Sequence, residues 1–419
     1  MTSSSAYPGD RLSRGSRVLY VMILGGLVAL GPLTIDLYLP ALPAVAAALD
    51  ADDAAIQLTL TATMAGFALG QLLVGPWSDA VGRRLPLLIA TSIHVSASVG
   101  IALAPDLTWV LCLRILQGVG AAGGSVVAMA TVRDLFAGQR LVRVLSRLAL
   151  VTGLAPILAP VVGSQLLRLL DWQGLFIALA VYGVVIVLLA AVLIAETLPE
   201  PRRRVKGGNK VIRRYRALFS DRQFVGVALI GGLVFSGMFV YLSSSPFLFQ
   251  DVYGLDAQQY GLLFAGTSLG FVVGSQVASR LMRTSAAPRV LTVSLPTMAL
   301  AGVALAVCAS ARLGMIPVAV AAGVYMLGAG LSLPCIQVTA LAPHGTEAGT
   351  AAALLGAINF GSASLIVPVL ALFGTSTAVP VGAAMGGALT IAVILLWLVV
   401  RPLRATVIGD EDGLALPRK

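Results

Sequence analysis

Charge is what this chain has least of. Asp, Glu, Lys and Arg make up 11% of its 419 residues, where a soluble globular protein carries roughly 25%. That imbalance places the chain among membrane proteins before any motif is read. A net charge of +10 would suggest nucleic acid in a soluble protein. No polar segment is long enough to fold alone, so a nucleic-acid module is excluded. Cysteine is scarce as well: Cys112, Cys308 and Cys335 lie inside apolar runs, and no pair has metal-ligand spacing. They read as small packing residues, and neither a metal nor a cofactor is expected. Of the two histidines, His94 has no acid or cysteine at ligand spacing and reads as a packing residue. Paired carboxylates in one span and histidine clusters are missing, which argues against an enzyme. The Ser-rich, basic start, Met1 to Arg17, has no short apolar region and no small-residue cleavage site, so it reads as a tail rather than a signal peptide.

Apolar sequence is what the chain has in abundance, at 58% of residues. A helix crossing the hydrocarbon core needs about 20 mostly apolar residues, and twelve such runs fit between residues 18 and 400. The last two come from one uncharged stretch, 348–400, divided by the turn signal "GTSTAVP". The expected organisation is a tail (1–17), a six-helix half (18–195), a polar linker (196–222), a second six-helix half (223–401) and a tail (402–419). The linker's "PEPRRRVKGGNK" reads as solvated. Cations set the orientation. With the N-terminus inside, only Arg168 and Arg312 fall on the outer side and only Arg114 within a span; all other Lys and Arg fall inside. Both termini are therefore expected in the cytoplasm. The four tryptophans, Trp77, Trp109, Trp172 and Trp397, fall near span ends, as interfacial anchors do.

Two charges lie deep in these spans. Asp36, in "TIDLYLPALPAV", is the only charged residue between Val18 and Leu49. Low dielectric disfavours the charged form of a carboxylate, so such a group can take up and release a proton. Pro32 and Pro40 bracket it and can bend the helix. Arg114, in "LCLRILQGVGAAGG", is expensive at that depth and demands a cavity or a partner; Asp36 is the candidate. Gln117 lies one turn on, on the same face. "GVGAAG" matches G-x-G-x-x-G formally, but it lies in mid-helix with no preceding strand, so it reads as a helix-packing face rather than a dinucleotide site. Gly266, Gly270 and Gly274 read the same way. Tyr38, Tyr241 and Asn359 are polar groups in apolar runs and are candidates, with Gln117, for a substrate cavity.

The loop after the second span, "GPWSDAVGRRLPLL", places Asp79, Arg83 and Arg84 at one membrane face, with Gly75 and Gly82 expected to supply the tight turn. The pattern resembles the signature of the major facilitator superfamily. The resemblance implies an all-α membrane fold of twelve transmembrane helices, in two six-helix halves around a central cavity. It also implies that Asp79 and Arg83, with Asp134 of "TVRDLF", form a cytoplasmic latch, closed when the cavity faces outward, and that Asp79 lies against the start of span eleven near Gly349. Arg114 and Gln117 resemble the superfamily's fourth-helix motif, whose arginine is tied to proton coupling. Gly153, Pro156, Pro160 and Gly163, in "VTGLAPILAPVVGSQ", share one helix face and resemble the fifth-helix antiporter motif. Its A-P-x-L-A-P form is similar to that of the Bcr/CflA (bicyclomycin/chloramphenicol-resistance) drug exporters. The first, second, seventh and eighth spans resemble that family too.

The function this implies is proton-driven efflux of drugs or other small molecules across the cytoplasmic membrane by alternating access. Asp36 would carry the proton and Arg114 would respond to its charge. The expected partners are a small-molecule substrate, protons and the lipid bilayer, with the protein a monomer. A nutrient or metabolite symporter of the same fold and a non-transporting sensor are the alternatives.

Overall fold

The computed structural model describes residues 9, 13–203, 208–371 and 378–402. Both tails therefore lie largely outside the described residues, as does most of the turn expected at 374–380. Twelve helices in the described chain are long and apolar enough to cross a membrane. The first crossing is α1 (Arg14–Asp36) continued, after a break, by α2 (Leu42–Ala48). Then come α3 (Asp53–Val81), α4 (Arg84–Ala102), α5 (Leu107–Leu135), α6 (Gly138–Leu166) and α7 (Trp172–Leu193). A short helix, α8 (Gly208–Ser220), precedes the second set of spans: α9 (Arg222–Phe247), α10 (Ala257–Leu281), α11 (Ala287–Ser310), α12 (Met315–Leu341), α13 (Ala348–Ala371) and α14 (Ala378–Leu395). With twelve crossings, Arg14 and Val400 lie at one end of the bundle, the termini end.

Several of the few acids sit where helix ends need them. Asp52, Asp106 and Asp256 accept from backbone N–H groups at the starts of α3, α5 and α10. Each satisfies a donor that the first helical turn leaves free. At Asp256 the cap is reciprocal, because Gln259 bonds back to the Asp256 backbone N–H.

The two halves repeat one packing scheme. In the first half α3 packs on α5, α4 on α5 and α7, and α1 on α6. In the second, α10 packs on α12, α11 on α12 and α14, and α9 on α13. These are the same pairings shifted by six spans, as expected of a transporter built from repeats. Glycines let the backbones approach. A Cβ on Gly118 would meet the Thr63 carbonyl of α3, and one on Gly120 the Ala90 carbonyl of α4, so "GVGAAG" is a packing face. Gly270 and Gly274 likewise press on α12, while Gly266 faces open space and has no packing partner.

Three other expectations change. The linker is not all solvated chain: α8 packs against α9 and α13, and its Leu218 is 2% exposed. Trp172 is not an interfacial anchor. It is 6% exposed and packs edge-on against Phe176. Gly75 does not make the turn after span two, for it lies inside α3 in ordinary contact with Val126. The turn is Gly82 and Arg83 alone, with Gly82 at φ +108°, a backbone region that a side chain would strain.

The halves meet along two symmetric seams, α3 with α13 and α6 with α10. At mid-depth Phe360 of α13 sits edge-on between Phe67 of α3 (5.2 Å) and Phe235 of α9 (5.1 Å). At the end away from the termini, Gln250 donates to the Pro40 carbonyl (3.2 Å) and Gln258 to the Ser164 carbonyl (3.0 Å). Ser164 is free to accept because the next backbone donor, Arg168 N–H, bonds Gln165 instead.

Candidate functional site

The site is built on a broken helix. Proline has no N–H, so Pro40 removes the bond that residue 40 would give to the Asp36 carbonyl, and its ring crowds that carbonyl. The α-helix stops at Asp36 and a 3₁₀ turn, Leu39–Ala41, follows. Within the break the Tyr38 N–H bonds Ile35 rather than Thr34, which leaves the Thr34 carbonyl without its helical donor. Arg114 supplies one: its Nη1 donates to Thr34 O at 3.1 Å and to Gln117 Oε1 at 2.9 Å. Gln117 Nε2 passes on to Ser98 Oγ (2.8 Å), and His94 Nδ1 donates to the Gln117 carbonyl (3.3 Å). The guanidinium lies 4.4 Å from the centre of the Tyr38 ring and 5.4 Å from that of Phe176, within cation–π range. Arg114 is 0% exposed, and these contacts offset part of its burial cost.

Asp36 is not its partner. No ion pair joins the two side chains among the described residues, and Asp36 makes no side-chain hydrogen bond there. The reason is geometric: the break presents a freed carbonyl to Arg114 from inside the first half. Asp36, 5% exposed, ends α1 just before the 3₁₀ turn that packs against α9 and α10 of the second half. There Tyr260 shares a hydrogen bond with Ser245 (2.9 Å), Tyr241 shares one with Thr267 (3.1 Å), and Phe264 lies against both tyrosine rings.

The residues proposed for a substrate cavity separate into two groups. Tyr38 and Gln117 are buried inside the first half and engaged with Arg114, so in this conformation they brace the arginine rather than line a cavity. Tyr241 is buried beside Thr267. Asn359 stands at the α9–α13 seam against Gly231, its Oδ1 buried and unbonded.

The fifth-span motif lies on the seam between halves. Gly163 of α6 faces the break: a Cβ there would coincide with the Leu37 carbonyl. The Pro160 carbonyl lies against Gly261 of α10, and Gly153 faces Val272 of the same helix.

At the termini end Arg83 gathers the latch residues. Its Nη1 donates to Asp79 Oδ1 (2.6 Å) and Ser78 Oγ (2.9 Å), and its Nε donates to Asp134 Oδ2 (2.8 Å). Burial alone would lower the Arg83 pKa, but the bonds and charges of Asp134 and Asp79 outweigh it and raise it. Arg84 turns away and donates to the Ala191 carbonyl (2.6 Å). The start of α13, expected against Asp79, adjoins side chains 345–348, which lie outside the described residues.

Sequence reading missed one residue of this cluster. Glu196, just past α7, accepts from the backbone N–H groups of Arg83 (2.9 Å) and Leu198 (2.8 Å) through Oε1, and from Arg84 (3.1 Å) through Oε2. Desolvation pushes its pKa up, and the three N–H bonds with the Arg203 charge bring it below the ordinary value. The folded value is the lower one. Its stabilising contribution is therefore complete above the unfolded value and fades as pH falls through the folded one. Nothing in "AETLPEPRRR" signals this, because the two partners at the turn lie more than a hundred residues earlier.

Two six-span bundles related by repeat and joined at two seams, with a buried carboxylate that has no ion pair among the described residues beside a helix break facing the other half, define a membrane transporter. The comparisons are specific. The sequence profile of the Major Facilitator Superfamily matches residues 22–368. The MFS-type transporter YdgK of Bacillus subtilis is 36% identical over 88% of this chain and 92% of its own. The multidrug resistance protein MdtL of Shigella flexneri is 30% identical over 83% and 87%. The bicyclomycin resistance protein homolog of Haemophilus influenzae is 27% identical over 90% and 95%. Among solved structures, a D-xylose–proton symporter superposes with a TM-score of 0.72, covering 93% of this chain and 99% of its own at 16% identity. This chain belongs to the Major Facilitator Superfamily, a family of multi-pass membrane transporters and not of enzymes.

Proposed function

We propose that the chain exports drugs or other small molecules from the cytoplasm in exchange for protons, with both termini on the cytoplasmic side. The observation that carries this is Asp36. It is a buried carboxylate with no ion pair or hydrogen bond among the described residues, at a helix break that faces the other half. An ionisable group so placed is a functional group before it is a structural one. Two readings of the sequence support the direction and orientation. The A-P-x-L-A-P face of α6 resembles that of drug exporters, and Lys and Arg are concentrated at the termini end. The names of the MdtL and bicyclomycin-resistance relatives point to the same substrate class.

In this reading the conformation is an occluded one, with the halves in contact at mid-depth and at the outer end. With the cavity open inward, a substrate displaces the proton from Asp36. The halves rock, the substrate leaves, and an external proton reloads the carboxylate. Arg114 stays in the first half and fixes the break through the Thr34 carbonyl, so that Asp36 is presented to the second half whatever its charge. This modifies the sequence expectation, in which the arginine answered the carboxylate directly.

A resistance screen tests the drug assignment. Cells expressing the native chain are expected to tolerate bicyclomycin, or another member of a chemically diverse antibiotic panel, at several times the concentration that stops cells expressing Asp36→Asn. Equal sensitivity of the two across the panel would remove the drug assignment and leave the fold untouched.

A further inference from the structure

We infer that Glu196 is a positioning residue of the latch, and that the glycine of the latch motif is required to admit it. Its carboxylate gathers three backbone N–H groups, from Arg83, Arg84 and Leu198. Two of these belong to the start of α4, where the first turn leaves donors unpaired and where a negative charge is favoured. Arg83 itself is held at both ends. Its backbone N–H is fixed by Glu196, while its guanidinium is shared between Asp79 and Asp134. A backbone held in place is what lets one guanidinium meet two carboxylates from two helices.

Gly82 fits the same account. A Cβ at this position would fall on the Glu196 carboxylate, with both oxygens and the carboxyl carbon the nearest atoms. The glycine thus serves two needs, a positive φ and an open berth for an acid that enters from the far side of α7. The next residue continues the grip, since Thr197 Oγ1 donates to Asp134 Oδ2 (3.4 Å) and Leu198 is buried. Glu196, Thr197 and Leu198 are where the linker to the second half begins. The chain that must move when the halves rock is therefore anchored on the residue that orients the latch arginine. A shift of the linker is felt at Arg83, and a shift of Arg83 is felt at the linker.

The inference rests on the latch reading and goes one residue further, so the test separates the two. Spin labels are placed on Ser146→Cys of α6 and Thr284→Cys after α10, both exposed positions near the termini end. The three native cysteines are replaced, the protein is reconstituted in lipid nanodiscs, and the distance distribution is read by pulsed electron resonance. No substrate is needed. Glu196→Gln keeps the shape but leaves an amide N–H facing backbone N–H groups. It is expected to raise the ratio of long to short distances about fivefold, the scale of losing a helix cap. Glu196→Asp keeps the charge with a shorter reach and is expected to fall between native and Glu196→Gln. Arg83→Ala is the control for the latch itself and is expected to shift the ratio at least as far. If Arg83→Ala shifts the distribution while both Glu196 variants match the native one, Glu196 is a helix cap without a part in the latch, and the inference fails. If Arg83→Ala does not shift it either, the latch reading fails first and takes the inference with it.

Discussion

Asp36→Asn is expected to reduce pH-gradient-driven substrate movement in proteoliposomes to the level of protein-free liposomes. The substitution keeps the size and removes the carboxylate at the break in the first helix. Native Asp36 makes no ion pair or side-chain hydrogen bond among the described residues, so the amide breaks none of these contacts and the fold should be unchanged. That distinguishes it from Arg114, whose loss would free the Thr34 carbonyl and unstack Tyr38. The expected signature is therefore a split. Substrate still exchanges down its own gradient, because the halves still rock, but an imposed pH gradient no longer drives it. Undiminished pH-driven transport by Asp36→Asn would remove Asp36 from the mechanism.

Gly163→Val is expected to stop transport by a different route. The Gly163 Cα faces the Leu37 carbonyl so closely that no Cβ fits between them. The obstacle is backbone rather than a flexible side chain, so α6 must retreat from the break. Overpacking of this kind costs about 1–3 kcal/mol, equivalent to a shift of roughly 5- to 160-fold in the closed state. The seam displaced is the one where Gln258 bonds Ser164 and Pro160 meets Gly261. Outer-side closure should weaken, and a thiol reagent applied from outside should label a cysteine placed at Thr267 faster than in the native background. Gly153→Ala is the contrast. Its nearest neighbour is Val272 at 3.9 Å from the position of a Cβ, so little change is expected. Equal effects of the two substitutions would mean that the glycines act through helix flexibility and not through close approach.

How much of this was legible in the sequence depends on whether the cause was local. The twelve spans follow from apolar length, and twelve are found among the described residues, the first running on to Ala48 and the fifth beginning as early as Gly138. The helix break at Pro40 beside Asp36 was also local, since one proline and one carboxylate four residues apart decide it. The partner of Arg114 was not legible. It is a backbone carbonyl eighty residues earlier, freed only because the Tyr38 N–H chose Ile35. Charge logic pointed to Asp36, and helix geometry chose otherwise. Glu196 was hidden for the same reason. Its sequence neighbours are linker residues, and its partners come from a turn that the chain passed 112 and 113 residues before. Gly75 and Gly82 look equivalent in the motif, yet one is an ordinary helical residue and the other holds the turn. A pattern of spacings does not distinguish them; the dihedral does.

The central claim, that substrate and protons cross in opposite directions, is tested most directly by the direction of flux. Native protein in sealed proteoliposomes of defined orientation is given an imposed pH gradient, and bicyclomycin or another substrate found by the resistance screen is followed across the membrane. The account predicts net movement of substrate toward the acidic side, against its own gradient, abolished when nigericin collapses the pH difference. Net movement toward the alkaline side, with the protons, would contradict it and make this transporter a symporter.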